Sequence, residues 1–285
     1  MKYLFLMLWA STCFAGEFID TVYSYKFGIN VDCGQDTMYF PKNIFGPPSI
    51  NAKYETPAAM PSEVLCIGFG GEIVIGIKEK IILDEPGFDF KIFENAFLNP
   101  INSKIFAEPA IVSVSQDGIN YFDFPFDYST LKGCAGITPV IGSNDPFSQD
   151  TISGDGFDLK TIGLSWVKYI KIKDITNEIY KDKSHLFYDI SLSGFDLDAV
   201  AILHLGNLEA TSVKSELSNF SINASLFIAN QPVNLTIYDL NGIEIYNNNN
   251  CLNLNLNQFK SQFLLVKVIS NANTSYTKYI NLGIN

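Results

Sequence analysis

The chain has 285 residues, 47% of them hydrophobic and 17% charged, with a formal net charge of −11. That composition excludes a disordered chain, and an acidic chain without a Lys/Arg cluster lacks the electrostatic footprint of a nucleic-acid binder. The length suits one large or two ordinary domains, and abundant Phe and Tyr, with Ile, Val and Thr in short alternating runs, favour strands.

Residues 1–15 read as a secretory signal. Lys2 supplies the positive start, residues 3–10 the apolar run and Cys13-Phe14-Ala15 a small-residue end. Acylation of Cys13 is the alternative. The run is too short to span a bilayer and no other stretch is long and apolar enough, so no membrane span is expected. Cys33, Cys66, Cys134 and Cys251 are far apart, without CxxC spacing, which argues against zinc. Export permits disulfides, and the sequence does not choose among the three full pairings.

Residues 17–62 are rich in turn formers, such as Phe45-Gly46-Pro47-Pro48, and predict short strands with long loops. Residues 64–77 hold two apolar runs around Gly68-Phe69-Gly70-Gly71. No Gly-Lys-Ser/Thr ending and no amphipathic helix follows, so these glycines mark a bulge or a close backbone approach, not a phosphate loop. A Pro86-Gly87 turn then leads into Gly87-Phe88-Asp89-Phe90-Lys91-Ile92-Phe93-Glu94-Asn95. Phe88, Phe90, Ile92 and Glu94 share one face by the two-residue period of a strand. A carboxylate on that apolar side needs a partner or a cation.

A second strand starts at Glu108-Pro109-Ala110 and runs to Ser115. It turns at Gln116-Asp117-Gly118-Ile119-Asn120 and returns through Tyr121-Phe122-Asp123-Phe124. Residues 127–160 form a long loop ending in Ser153-Gly154-Asp155-Gly156-Phe157-Asp158, where acids alternate with glycines in a pattern that suits Ca²⁺ but lacks EF-hand spacing. Residues 166–174 alternate as a strand. Gly194-Phe195-Asp196-Leu197-Asp198-Ala199-Val200 echoes the earlier Phe-containing segment, with Asp196 and Asp198 on one side, roughly 7 Å apart. His204 ends this strand and reads as core or rim. Composition changes at Gly206-Asn207. Beyond it, residues 235–246 form a hairpin about Asn241-Gly242, residues 247–250 an Asn-rich loop, and residues 263–268 and 276–282 two further strands. The expected fold is all-β: a jelly-roll β-sandwich over residues 17–205, then a small Ig-like β-sandwich over 208–285.

The segments 87–95, 108–118 and 194–200 together resemble a group of bacterial cell-surface proteins. The order strand, Ser115-Gln116-Asp117-Gly118, strand, then Val167-Lys168-Tyr169-Ile170-Lys171-Ile172 is similar to galactose-binding-like jelly rolls of the discoidin type. That resemblance implies a sandwich with a structural Ca²⁺ and ligand loops at one end. Residues 208–285 resemble the C-terminal sorting domain of the type IX secretion system, through Ile237-Tyr238-Asp239-Leu240-Asn241-Gly242, Leu264-Leu265-Val266-Lys267-Val268 and Tyr276-Thr277-Lys278-Tyr279-Ile280. This implies the type IX machinery as a partner, export through the outer membrane and a cell-surface location.

The function expected is a non-catalytic binding or adhesion protein, with calcium held by Asp89, Glu94, Asn95, Asp155, Asp158, Asp196 and Asp198 and a glycan or other surface ligand. Several carboxylates brought together need a cation between them. The alternatives are a glycoside hydrolase pairing Glu94 with Asp196 or Asp198, and a purely structural surface protein.

Overall fold

The computed structural model describes residues 16–207, 220–223, 226–239, 243–259, 263–270 and 273–280. The signal-like residues 1–15 and the Asn241-Gly242 turn lie outside them. The chain divides into two compact units, Met1–Asn207 and Leu208–Asn285. Both are all-β.

In chain order the first unit contains β1 (Glu17–Phe18), β2 (Thr21–Lys26), β3 (Leu65–Cys66), β4 (Glu72–Gly76), β5 (Lys80–Leu83), β6 (Phe90–Phe93), β7 (Phe97–Asn99) and β8 (Lys104–Phe106). Then follow β9 (Ala110–Ser115), β10 (Phe122–Asp123), β11 (Asp155–Phe157), β12 (Trp166–Val167), β13 (Tyr169–Asp174), the short helix α1 (Thr176–Lys181), β14 (Asp196–Leu197), β15 (Ala199–Ile202) and β16 (Leu205–Asn207). Two antiparallel sheets make the body: β1-β15-β6-β11 and β10-β9-β13-β4-β2. Alternate residues of both sheets meet in one core. Phe90, Ile92, Phe157, Val200 and Ile202 come from the first sheet, and Ile73, Ile75, Val112, Val114, Ile170 and Ile172 from the second. This is the packing of a β-sandwich. Phe90 and Phe157 stack with centroids 5.2 Å apart, and Phe124 meets both edge-on.

The other face of β6 is covered too. Lys91 is only 1% exposed, and its ammonium donates to the carbonyls of Ser148 and Asp150. The long excursion after β10 is therefore loop except for β11, and it lies against the back of β6. The Gly-rich kink after β3 is a close backbone approach: a Cβ on Gly194, whose φ is +131°, would stand 2.7 Å from the backbone of Gly68. The short helix α1 follows directly after β13.

The second unit contains β17 (Phe220–Asn223), β18 (Leu226–Tyr238), β19 (Glu244–Asn255), β20 (Phe263–Ser270) and β21 (Asn273–Ile280). They form one antiparallel sheet, β17-β18-β20-β21, with β19 on β18. Phe227, Ala229, Val233, Leu235 and Ile237 alternate inward along β18 into a core with Cys251, Leu256, Leu264, Val266 and Val268. The Asn-rich run 247–250 is not a loop but part of β19, with Asn247 opposite Thr236 and Asn248 opposite Leu235. Ladder pairing with β18 overrides the weak strand preference of Asn, whose side chains here face solvent. No helix among the described residues is long and apolar enough to cross a membrane.

One buried carboxylate pins the kink to the sandwich. Asp174, 1% exposed, accepts from Gly70 N–H at 2.7 Å and from Phe195 N–H at 2.9 Å. Asp174→Ala orphans both donors, each costing about 1–3 kcal/mol. Urea unfolding should show a loss of at least about 2 kcal/mol, and an unchanged midpoint would contradict this account of the kink.

Candidate functional site

Glu94 lies immediately after β6 and is 2% exposed, buried as its strand parity requires. Pairing of β15 with β6 (Ala199 opposite Phe93) and of β14 with β3 (Asp196 opposite Cys66) lays Asp196 beside it. Glu108, two residues before β9 and 3% exposed, completes a group in which one oxygen from each of Glu94, Glu108 and Asp196 lies within 4.8 Å of the others. Gly136 roofs the group: a Cβ there would come within 3.2 Å of Glu94 Cγ and 2.6 Å of the Glu108 carbonyl oxygen, and its φ is +83°.

One oxygen on each of the two glutamates has a defined partner. Glu94 Oε1 accepts from Asp196 N–H at 3.2 Å, and Glu108 Oε1 accepts from Ser193 N–H, from Ser193 Oγ at 3.0 Å and from Gly194 N–H at 2.9 Å. The Cys66 and Asn95 side chains lie beside Asp196 and favour its charged form against the cost of burial. Glu94 Oε2 and Asp196 Oδ1 are shut away from solvent and have no hydrogen-bond partner. Two orphaned carboxylate oxygens facing a third acid are the exception to the rule that buried polar groups are paired.

The electrostatics follow from this crowding. Burial, then the charges of Glu108 and Asp196, push the Glu94 carboxyl well above the usual carboxylate range. Burial and the Asp196 charge push Glu108 up to about 8, and burial pushes Asp196 up to about 6. Three such groups either hold protons or share a cation.

A second acidic group, Asp84, Asp89 and Asp158, has a different character. Asp89 is fully buried, but its oxygens are engaged. Oδ1 accepts from Glu85 N–H and lies 2.8 Å from His204 Nδ1, and Oδ2 accepts from Leu159 N–H at 2.8 Å. Asp158 accepts from Lys160 N–H at 2.9 Å, capping a single 3₁₀ turn. This group works as a clasp between chain segments.

The seven residues expected to hold one cation are thus divided. Glu94 and Asp196 share the orphaned cluster, while Asp89 and Asp158 share the clasp. Asn95 lies beside Asp196, but its hydrogen bonds go elsewhere: its Oδ1 accepts from Ala58 N–H and its Nδ2 donates to Ala58 O. Asp155 belongs to neither group. Its carboxylate accepts from Gly136 N–H, Ile137 N–H and Thr138 Oγ1 and holds the turn that roofs the cluster. Asp198 accepts from Ser49 N–H, and burial pushes it up to about 7. These residues part company because backbone N–H groups reach Asp155 and Asp198 first. Glu108 and Cys66 are site residues that the sequence reading passed over. The signal for Glu108 is an acid placed directly ahead of an apolar strand. Cys33, Cys66, Cys134 and Cys251 are all free thiols, and Cys66 N–H donates to Cys33 O.

A comparison of the chain with protein-family models and with curated proteins finds no match. The chemistry of the site therefore rests on its own geometry.

The raised carboxyls carry a sign for stability. An unfolded Glu releases its proton near its ordinary value of about 4.3, whereas Glu108 in the fold keeps it up to about 8. Between those limits the folded state binds more protons, so stability without a cation falls as pH rises and levels off above the folded value. In EDTA the melting temperature should drop steadily from pH 5 to pH 8. A flat or rising profile would contradict the assigned state of the cluster.

Proposed function

We propose that this chain is a secreted or cell-surface, non-catalytic binding protein whose first domain is held together by a calcium ion at Glu94, Glu108 and Asp196. One observation carries the reading: Glu94 Oε2 and Asp196 Oδ1 are buried together without a partner. A divalent cation would satisfy both oxygens and cancel the repulsion among the three carboxylates. The donors are all hard oxygens, which suits Ca²⁺ or Mg²⁺ more than a transition metal. Calcium is preferred because it loses its waters readily in a closed pocket, whereas Mg²⁺ keeps several and demands near-ideal octahedral geometry.

Closure also favours a structural role. Structural metal sites are closed and catalytic ones keep an open position, and Glu94 and Glu108 are 2% and 3% exposed. Glycoside hydrolysis needs carboxyls flanking a sugar bond, so burial of Glu94 counts against that chemistry. Secretion, the type IX machinery as partner and the cell-surface location rest on the signal-like start and on the resemblance of residues 208–285 to sorting domains.

The test is thermal unfolding in EDTA and in saturating calcium. At a hundred times its dissociation constant a ligand adds about 2.7 kcal/mol, worth roughly 5–10 °C for a domain of this size. Wild type should gain that much in calcium. Glu94→Gln should melt at least as high as wild type in EDTA, since a neutral amide cannot ionise beside the other two acids, and should gain nothing from calcium. Identical wild-type melting with and without calcium would sink the proposal.

A further inference from the structure

We propose that Cys33 and Cys66 are a disulfide pair: thiol–disulfide exchange with a small-molecule or protein disulfide joins them and braces residues 31–35 against β3, beside Asp196. The pairing needs no cation, so it stands apart from the calcium reading above.

The fold brings these two cysteines to one face. Leu65 of β3 enters the main core, while Val64 packs on the other side with Phe93, Ala199 and Ala201. Strand alternation turns Cys66 to the Val64 side, where it stands opposite Asp196 in register. Cys33 packs against that same cluster of Val64 and Phe93. The two backbones are one hydrogen bond apart, since Cys66 N–H donates to Cys33 O at 2.9 Å. That contact sets the two Cα atoms about 5–6 Å apart, within the span a disulfide bridges. Two side-chain amides hold the segments in place. Gln35 Nε2 donates to Cys66 O at 2.8 Å, and Asn43 Nδ2 donates to Gly34 O at 3.0 Å and to Val64 O at 2.9 Å. The segments are thus positioned before any bond forms.

Cys33 is half-buried and Cys66 fully buried, so Cys33 is the sulfur that meets the oxidant. Its thiolate attacks one sulfur of the incoming disulfide, breaking that S–S bond and releasing one thiol. The Cys66 thiolate then attacks Cys33 Sγ, forming the internal S–S bond and releasing the second thiol. Two protons and two electrons leave the cysteines, and the oxidant becomes two thiols. The remaining cysteines have other surroundings. Cys134 packs among Leu131, Ile175, Ile179 and Leu192, and Cys251 lies in the core of the second unit. Burial, then the Asp196 charge, raises the thiols of both Cys33 and Cys66, which suits a structural bond and not a standing nucleophile.

The test incubates the folded full chain with glutathione disulfide, alkylates the remaining thiols and digests with trypsin without reduction. Cleavage after Lys26, Lys42, Lys53 and Lys78 leaves Cys33 in residues 27–42 and Cys66 in residues 54–78. The expected result is one species joining those two peptides, lost on reduction with dithiothreitol. The oxidised chain should melt roughly 5–15 °C above the reduced chain. Cys33→Ser should melt with the reduced wild type and gain nothing from oxidation. Because Cys33 is half-buried, this variant keeps the fold even where Cys66→Ser does not. Recovery of Cys33 and Cys66 unlinked, whether alkylated or carrying glutathione, overturns the proposal, and so does a link from either one to another cysteine. A Cys33–Cys66 link without a rise in melting temperature overturns the brace.

Discussion

Burying charge is the constraint on which the first domain depends. A carboxylate leaves water at high cost unless something replaces its hydration. This domain buries several. Asp89, Asp155, Asp174 and Asp198 all meet the requirement by accepting from backbone N–H groups across loops, and each thereby ties distant segments together. The acidity of the chain is thus not merely a solvated surface. Much of the loop structure of the sandwich is organised by acids pointing inward.

Against that background Glu94 and Asp196 stand apart. Other carboxyls crowd them, and one buried oxygen on each has no hydrogen-bond partner. The same local rule that makes Asp155 a turn clamp makes the Glu94 cluster a place for a proton or a cation. Proton and metal then compete for one pocket, so acidity and calcium are two routes to the same relief of repulsion.

The all-β fold was legible because alternation survives in the strands that matter. Phe90 and Ile92 on β6, and Ile170 and Ile172 on β13, face the core as their spacing requires. The burial of Glu94 was legible for the same reason. What pattern could not reveal is which acids meet. Asp155 sits opposite Ile92 on a neighbouring strand yet gives its oxygens to Gly136, Ile137 and Thr138, and nothing local marks those donors. Glu108 meets the chain leading into β14 through the Ser193 and Gly194 N–H groups, 85 and 86 residues further on, and nothing local marks that meeting. The asparagines of β19 mislead in the opposite direction, since composition suggests a loop where ladder pairing makes a strand.

The account is tested most directly by a crystal structure of the calcium-soaked protein, with anomalous scattering used to locate the ion. It predicts one ordered calcium bonded to Glu94 Oε2, Asp196 Oδ1 and a Glu108 oxygen at about 2.3–2.6 Å. An anomalous map with no peak there, and the three carboxyls hydrogen-bonded to one another through retained protons, would contradict it.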